Sequence, residues 1–182
     1  MDSSLQPIYD RLQKSMIELL EEVKDQPDSV LNTPPENGGW SVLQVMYHMV
    51  LVEEYSMMYV KKKLSFGEED IPNAGVKGYF RGIYLRNMFK IPFKVDAPEA
   101  VNESNMPSEI RFWEVLKKWK DSRAELGDFL DKAPKDLLKK ELYKHPLVGK
   151  MTLKNMLYFF ELHFKRHRRQ LNKVLKQVKY VV

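Results

Sequence analysis

Four stretches of the chain repeat apolar residues at helical spacing, and the segments between them break that rhythm. In the first, from Ser4 to Lys24, Leu5, Ile8, Tyr9, Leu12, Met16, Leu19, Leu20 and Val23 recur every three or four positions, with Pro7 tolerated in the first turn. The stretch from Asp25 to Gly39 holds three prolines and two glycines and reads as a connection. The second helix is predicted over Val42 to Leu64. Ser41 is placed as its N-cap, Gln44 as its capping-box partner, and Trp40 with Val45 as a hydrophobic staple. From Val42 to Val52 it is apolar nearly all round, which predicts the most buried helix of the fold.

From Ser65 to Met106 glycines and prolines interrupt any period, apart from a short helix expected from Val76 to Phe89. A connection this long inside a compact domain tends to be functional, often as a lid. Its Tyr79, Phe80, Arg81, Tyr84 and Arg86 can line a pocket mouth or, more commonly, pack singly. The third helix is predicted from Ser108 to Asp131, with a further turn at Pro134 to Leu138. The fourth starts after a Thr152 cap. His145 stands before Pro146 and is biased toward extended backbone, and Gly149 suits the turn that follows. Four amphipathic helices, with a long crossover that lets the second and third run parallel, predict an all-α four-helix bundle.

Composition narrows the classes without changing that picture. A chain of 182 residues, 43% apolar and 30% charged, is one domain of ordinary size, spanning 1–182. The absence of cysteine excludes disulfides, thiolate zinc sites and cysteine nucleophiles, and fits a cytoplasmic setting. Nothing at the start resembles a signal peptide, and no apolar run is long enough to span a bilayer, so no membrane partner is expected. The net charge of +5 is uneven: ten Lys/Arg and one acid from Lys144 onward give +9, leaving −4 for the rest. That basic last helix is read as a solvated face rather than a nucleic-acid surface, since no aromatics interleave with its charges.

The candidate chemistry lies on the apolar face of the same helix. His163 and His167 are four residues apart, one turn above each other, among Met156, Phe159, Phe160, Gln170 and Val174. Two readings stand. Either each is a neutral histidine hydrogen-bonded within a bundle, which is the commoner case for an isolated H-x-x-x-H, or both hold a metal with a third ligand from elsewhere. His48, two turns into the most buried helix, adds weight to the second reading.

W-S-V-L-Q-V-M-Y-H in the second helix and H-P-L-V-G-K-M-T-L-K-N-M-L-Y-F-F-E-L-H-F-K-R-H-R-R-Q-L near the end together resemble the DinB/YfiT-like superfamily. The resemblance covers essentially the whole chain, because helix order and the long crossover also fit. It implies a bundle wound up-down-down-up and a divalent metal bound by three histidines, which by position are His48, His163 and His167. The activities it implies are thiol S-transfer, thiol-dependent isomerisation and metal-dependent hydrolysis. A homodimer is also expected on family grounds. The segment from Leu64 to Ser108 matches no motif, so pocket specificity does not carry over.

Three imidazoles suit a borderline divalent ion, zinc or nickel first and iron or manganese next, and leave coordination positions open. Hydrolysis of the metalloprotease kind needs a carboxylate base beside the metal. Glu161 points away from the histidine face, and neither Glu53 nor Glu54 shares the face of His48. A small-molecule electrophile attacked by an external low-molecular-weight thiol asks less of the protein, so a thiol-dependent S-transferase is the expected activity. Metal-dependent hydrolysis and a non-catalytic binding module are the alternatives. Supporting roles fall to His145 as a substrate contact (though His-Pro in a turn is more often structural), to Gln170 as a hydrogen-bonding group, and to Tyr55 as a proton donor, although a core filler is the commoner fate.

Overall fold

The W-S-V-L-Q start builds the helix it predicts. Ser41 Oγ accepts from Gln44 N, and Gln44 Oε1 accepts from Ser41 N, closing a capping box at the head of a helix over Val42–Leu64. The computed structural model describes residues 1–88, 101–102, 106–107 and 109–178. In chain order its helices are α1 (Gln6–Val23), α2 (Asp28–Asn32), α3 (Val42–Leu64), α4 (Gly75–Met88), α5 (Phe112–Lys132) and α6 (Leu153–Val178). A 3-10 turn over Lys135–Lys139 and an antiparallel hairpin, β1 (Tyr143–His145) with β2 (Gly149–Met151), lie between α5 and α6.

The four long helices α1, α3, α5 and α6 form the bundle, and their cross-links give its winding. Arg11 meets Glu161, and Glu22 meets Arg168, so α1 and α6 run parallel. Glu54 meets Lys118, and Lys61 meets Glu125, so α3 and α5 also run parallel. His48 of α3 faces His163 in mid-α6, whereas Ser56, farther along α3, meets Tyr143 just ahead of α6; these two helices are antiparallel. The bundle is therefore up-down-down-up. The first half of α3 is almost wholly buried, as its apolar composition requires.

The core has two parts. One gathers Leu5, Ile8 and Leu12 with Met57, Leu126, Leu130, Met156 and Phe160. The other gathers Met16, Leu19 and Leu20 with Met46, Val50, Trp119, Phe164 and Leu171. Between them α3 and α5 turn polar. Glu53 is 5% exposed and Arg123 0%, and their bidentate pair has both contacts at 2.6 Å. Trp119 Nε1 also donates to Glu53, and Tyr9 donates to the carbonyl of Arg123.

Several local expectations need correction. The Asp25–Gly39 connection contains α2, too short for periodicity to reveal. Asp28 accepts from Phe112 N, and Asn32 donates to the carbonyl of Ile110, so α2 sets the start of α5 at Phe112 rather than near Ser108. The link after the 3-10 turn is a hairpin in which His145 pairs with Gly149, whose φ of +85° only glycine adopts freely. On α4, Tyr79, Phe80 and Tyr84 do not pack; they are 65%, 62% and 56% exposed. Arg81 instead binds Glu141 and the carbonyl of Lys150, and Arg86 lies over the ring of Tyr158. The buried face of α4 is small, with Gly82 so near α6 that a Cβ there would lie 2.7 Å from Asn155 Oδ1. Part of the expected lid, residues 89–100, lies outside the described residues. No helix of the described residues is long and apolar enough to cross a membrane.

Candidate metal centre

Helical geometry sets His163 and His167 one turn apart on α6, and the antiparallel packing of α3 brings His48 opposite them. The three rings meet. His48 Nε2 lies 3.3 Å from His163 Nε2, and His167 Nε2 lies 3.0 Å from His163 Nε2. One ligand atom from each residue falls within 4.8 Å of the other two. Among the described residues, no carboxylate joins the cluster. His48 is buried and His163 partly so. The indole of Trp40 lies 4.9 Å from the His48 ring, between centroids, and Phe159 lies 5.3 Å from that of His163.

The outward nitrogens fix what the inward ones can do. His48 Nδ1 is 2.7 Å from the carbonyl oxygen of Val101. A carbonyl only accepts, so Nδ1 carries the proton and Nε2 a lone pair. His167 Nδ1 is 2.9 Å from Gln170 Oε1, which sets the same tautomer. Two lone pairs therefore converge on His163 Nε2, and a single proton there is shared between two acceptors. Burial lowers the pKa of all three rings, that of His163 well below its ordinary value and that of His167 to about 4, and their mutual repulsion lowers His163 and His167 further. All are neutral at pH 7, the protonation state in which imidazole ligates.

The donor set fits a divalent cation. Zinc–imidazole bonds at tetrahedral angles put ligand nitrogens about 3.3 Å apart, from bond lengths of about 2.0–2.1 Å. The two short separations here are 3.0 and 3.3 Å. Each outward nitrogen of His48 and His167 also has the hydrogen-bonded acceptor that metal-ligating histidines almost always carry.

The sequence model of the DinB superfamily matches residues 8–171. The chain belongs to the DinB superfamily. Among solved structures, it is similar to YfiT from Bacillus subtilis, described as a probable metal-dependent hydrolase with an unusual four-helix bundle topology. The two share 18% identity with a TM-score of 0.66, over 98% of this chain and 90% of that one, a likeness of fold. No curated protein sequence matches the chain.

In this DinB-superfamily bundle the other candidate residues separate. Gln170 supports His167 directly, as its place on the same face predicted. Gln44 is taken up by the capping box. Tyr55 is 41% exposed, so it does not fill the core as expected of it. His145 is 6% exposed and shares Phe159 with His163 as a ring neighbour. The acids are engaged elsewhere: Glu161 with Arg11 and Lys165, Glu54 with Lys118, and Glu53 with Arg123. Sequence reasoning missed Val101, whose contribution is a main-chain oxygen, an atom every residue type offers.

Proposed function

We propose that this DinB-superfamily protein is a divalent-metal enzyme in which His48, His163 and His167 hold the ion, with zinc or nickel the best match to an all-imidazole set. The observation that carries the reading is the convergence of three Nε2 atoms while Val101 and Gln170 hold the protons of His48 and His167 on the outside. An ion held by three neutral ligands keeps its full charge and acidifies a bound thiol or water. The protein contributes orientation, an apolar wall from Trp40 and Phe159, and no acid–base carboxylate among the described residues of the cluster. A site with that inventory suits a nucleophile that brings its own reactivity, and the reading is transfer of a small thiol onto a small electrophile.

Hydrolysis is the second reading, favoured by the structural likeness to YfiT and its description. Metal analysis of the wild type beside His48→Ala and His163→Ala tests the centre; stoichiometric metal retained in both variants would refute it. Metal-loaded protein assayed on activated esters and alkyl halides, with and without added thiol, separates the chemistries. Thioether formation that needs both metal and thiol supports transfer. Ester cleavage indifferent to thiol supports hydrolysis and refutes transfer.

A further inference from the structure

One end of the bundle carries both an outward apolar face and the chain's excess of positive charge. On α4, Val76, Tyr79, Phe80 and Tyr84 follow the i, i+3, i+4, i+8 spacing by which a helix faces a core. Yet each is more than half exposed, because Gly78, Gly82, Leu85 and Met88 supply the face that packs on the bundle. Leu147, in the turn of the β1–β2 hairpin, is exposed as well, and Arg81 ties α4 to that hairpin through the Lys150 carbonyl. Contiguous exposed apolar side chains rimmed by polar ones mark an interaction surface. At 100° per residue, Lys77 and Arg86 border this face on either side. Further cations surround it. Lys63 donates to the Glu141 carbonyl, Lys140 to that of Glu68, and Arg81 to the Glu141 carboxylate, so residues 61–88 and 139–151 come together here. They hold ten Lys/Arg against four acids, a net +6 in a chain whose total is +5.

We propose that the outer face of α4 docks on an anionic lipid surface, with its aromatic side chains in the headgroup layer and the surrounding lysines and arginines against the lipid phosphates. Apolar side chains along the centre and cations along both borders are the layout of a helix lying in a membrane interface. No helix among the described residues is long and apolar enough to cross a bilayer, and docking of this kind needs none. A second copy fits the face poorly, because pairing it with itself would bring two surfaces of net +6 together. Nucleic acid fits poorly too: a phosphate backbone needs cations at the centre of the contact, where this face is apolar. The face stands independently of the metal centre.

The test is co-sedimentation of the full chain with sucrose-loaded vesicles, either of phosphatidylcholine alone or of equal parts phosphatidylcholine and phosphatidylglycerol. Wild type should bind the anionic vesicles about tenfold or more tightly than the neutral ones, and high salt should erase that preference. Tyr79→Ser combined with Phe80→Ser should bind about tenfold more weakly at an unchanged thermal midpoint, since both side chains are exposed. Lys77→Glu should weaken binding about fivefold or more. Lys176→Glu, on the exposed side of α6, should bind like wild type. Absence of binding to anionic vesicles, wild-type binding by the Tyr79 and Phe80 variant, or equal losses in Lys77→Glu and Lys176→Glu would each overturn the proposal. Self-association that the Tyr79 and Phe80 changes abolish, without vesicle binding, would assign the face to a second copy and overturn it too. Should that variant fail to fold, the contrast between Lys77→Glu and Lys176→Glu decides.

Discussion

Replacing Gln170 by Ala removes the side chain that, among the described residues, orients a proposed metal ligand from outside. Its Oε1 lies 2.9 Å from His167 Nδ1 and holds the proton there, so that Nε2 faces His163. Without it, the ring is free to take the other tautomer or to rotate, and imidazole basicity falls. Loss of such an outer partner typically weakens metal binding 10–100-fold, or about 1.4–2.7 kcal/mol. The corresponding partner of His48 is the main-chain oxygen of Val101, which no substitution deletes, so Gln170 is where this effect can be isolated. The side chain is only partly buried, so the metal-free protein should lose no more than about 0.5 kcal/mol. Competition for zinc against a chromophoric chelator reads the affinity, and thermal unfolding with and without zinc separates the two effects. Gln170→Glu keeps an acceptor and should bind zinc at least as tightly as wild type. A change below twofold in Gln170→Ala, or equal destabilisation of metal-free and metal-loaded protein, would refute the reasoning.

The buried pair of Glu53 and Arg123 should be intolerant of single changes. Glu53→Gln or Arg123→Met each strands a buried group and should cost about 3–5 kcal/mol in urea unfolding at pH 7, while a paired apolar replacement recovers most of it. Acid should destabilise the metal-free protein through its buried histidines. Burial holds His145 and His167 at about 4 against an ordinary 6.5, so the unfolded chain binds more protons between those values. Their stabilisation is complete above pH 6.5 and is lost as pH falls toward 4, by up to about 3 kcal/mol each; a flat stability profile over that window would contradict it. Ser41→Ala opens the capping box of α3 and should cost about 1 kcal/mol, read from the denaturant midpoint. Gly82→Ala should lower the thermal midpoint modestly, because its Cβ displaces the Asn155 amide that donates to the Gly78 carbonyl; an unchanged midpoint would contradict this.

What was legible followed from local rules. The cap at Ser41 and the apolar run behind it predicted α3 to the residue, and Thr152 caps α6 as expected by accepting from Asn155 N. The i, i+4 spacing of His163 and His167 by itself places both on one face of α6. Features built from distant chain were not legible. The burial of Glu53 is one, because its partners Trp119 and Arg123 lie more than sixty residues away. The five residues of α2 are too few to show a period, and the cap it lends to Phe112 comes from across the fold. The outward aromatics of α4 defeat the expectation of packing because Gly78, Gly82, Leu85 and Met88 form its buried face and leave Tyr79, Phe80 and Tyr84 on the other side.

The polar seam between the two halves of the core has a mechanical consequence. The bundle helices meet there through groups that demand a specific partner: Tyr9 with the Arg123 carbonyl, Arg123 with Glu53, and His48 with His163. Leucine against leucine tolerates sliding, whereas a helix displaced axially by one turn, about 5.4 Å, would press a charge into hydrocarbon. The seam thus acts as a detent. The oily segments on either side can exchange residues and repack, yet His48 and the α6 imidazoles are still delivered to a common height.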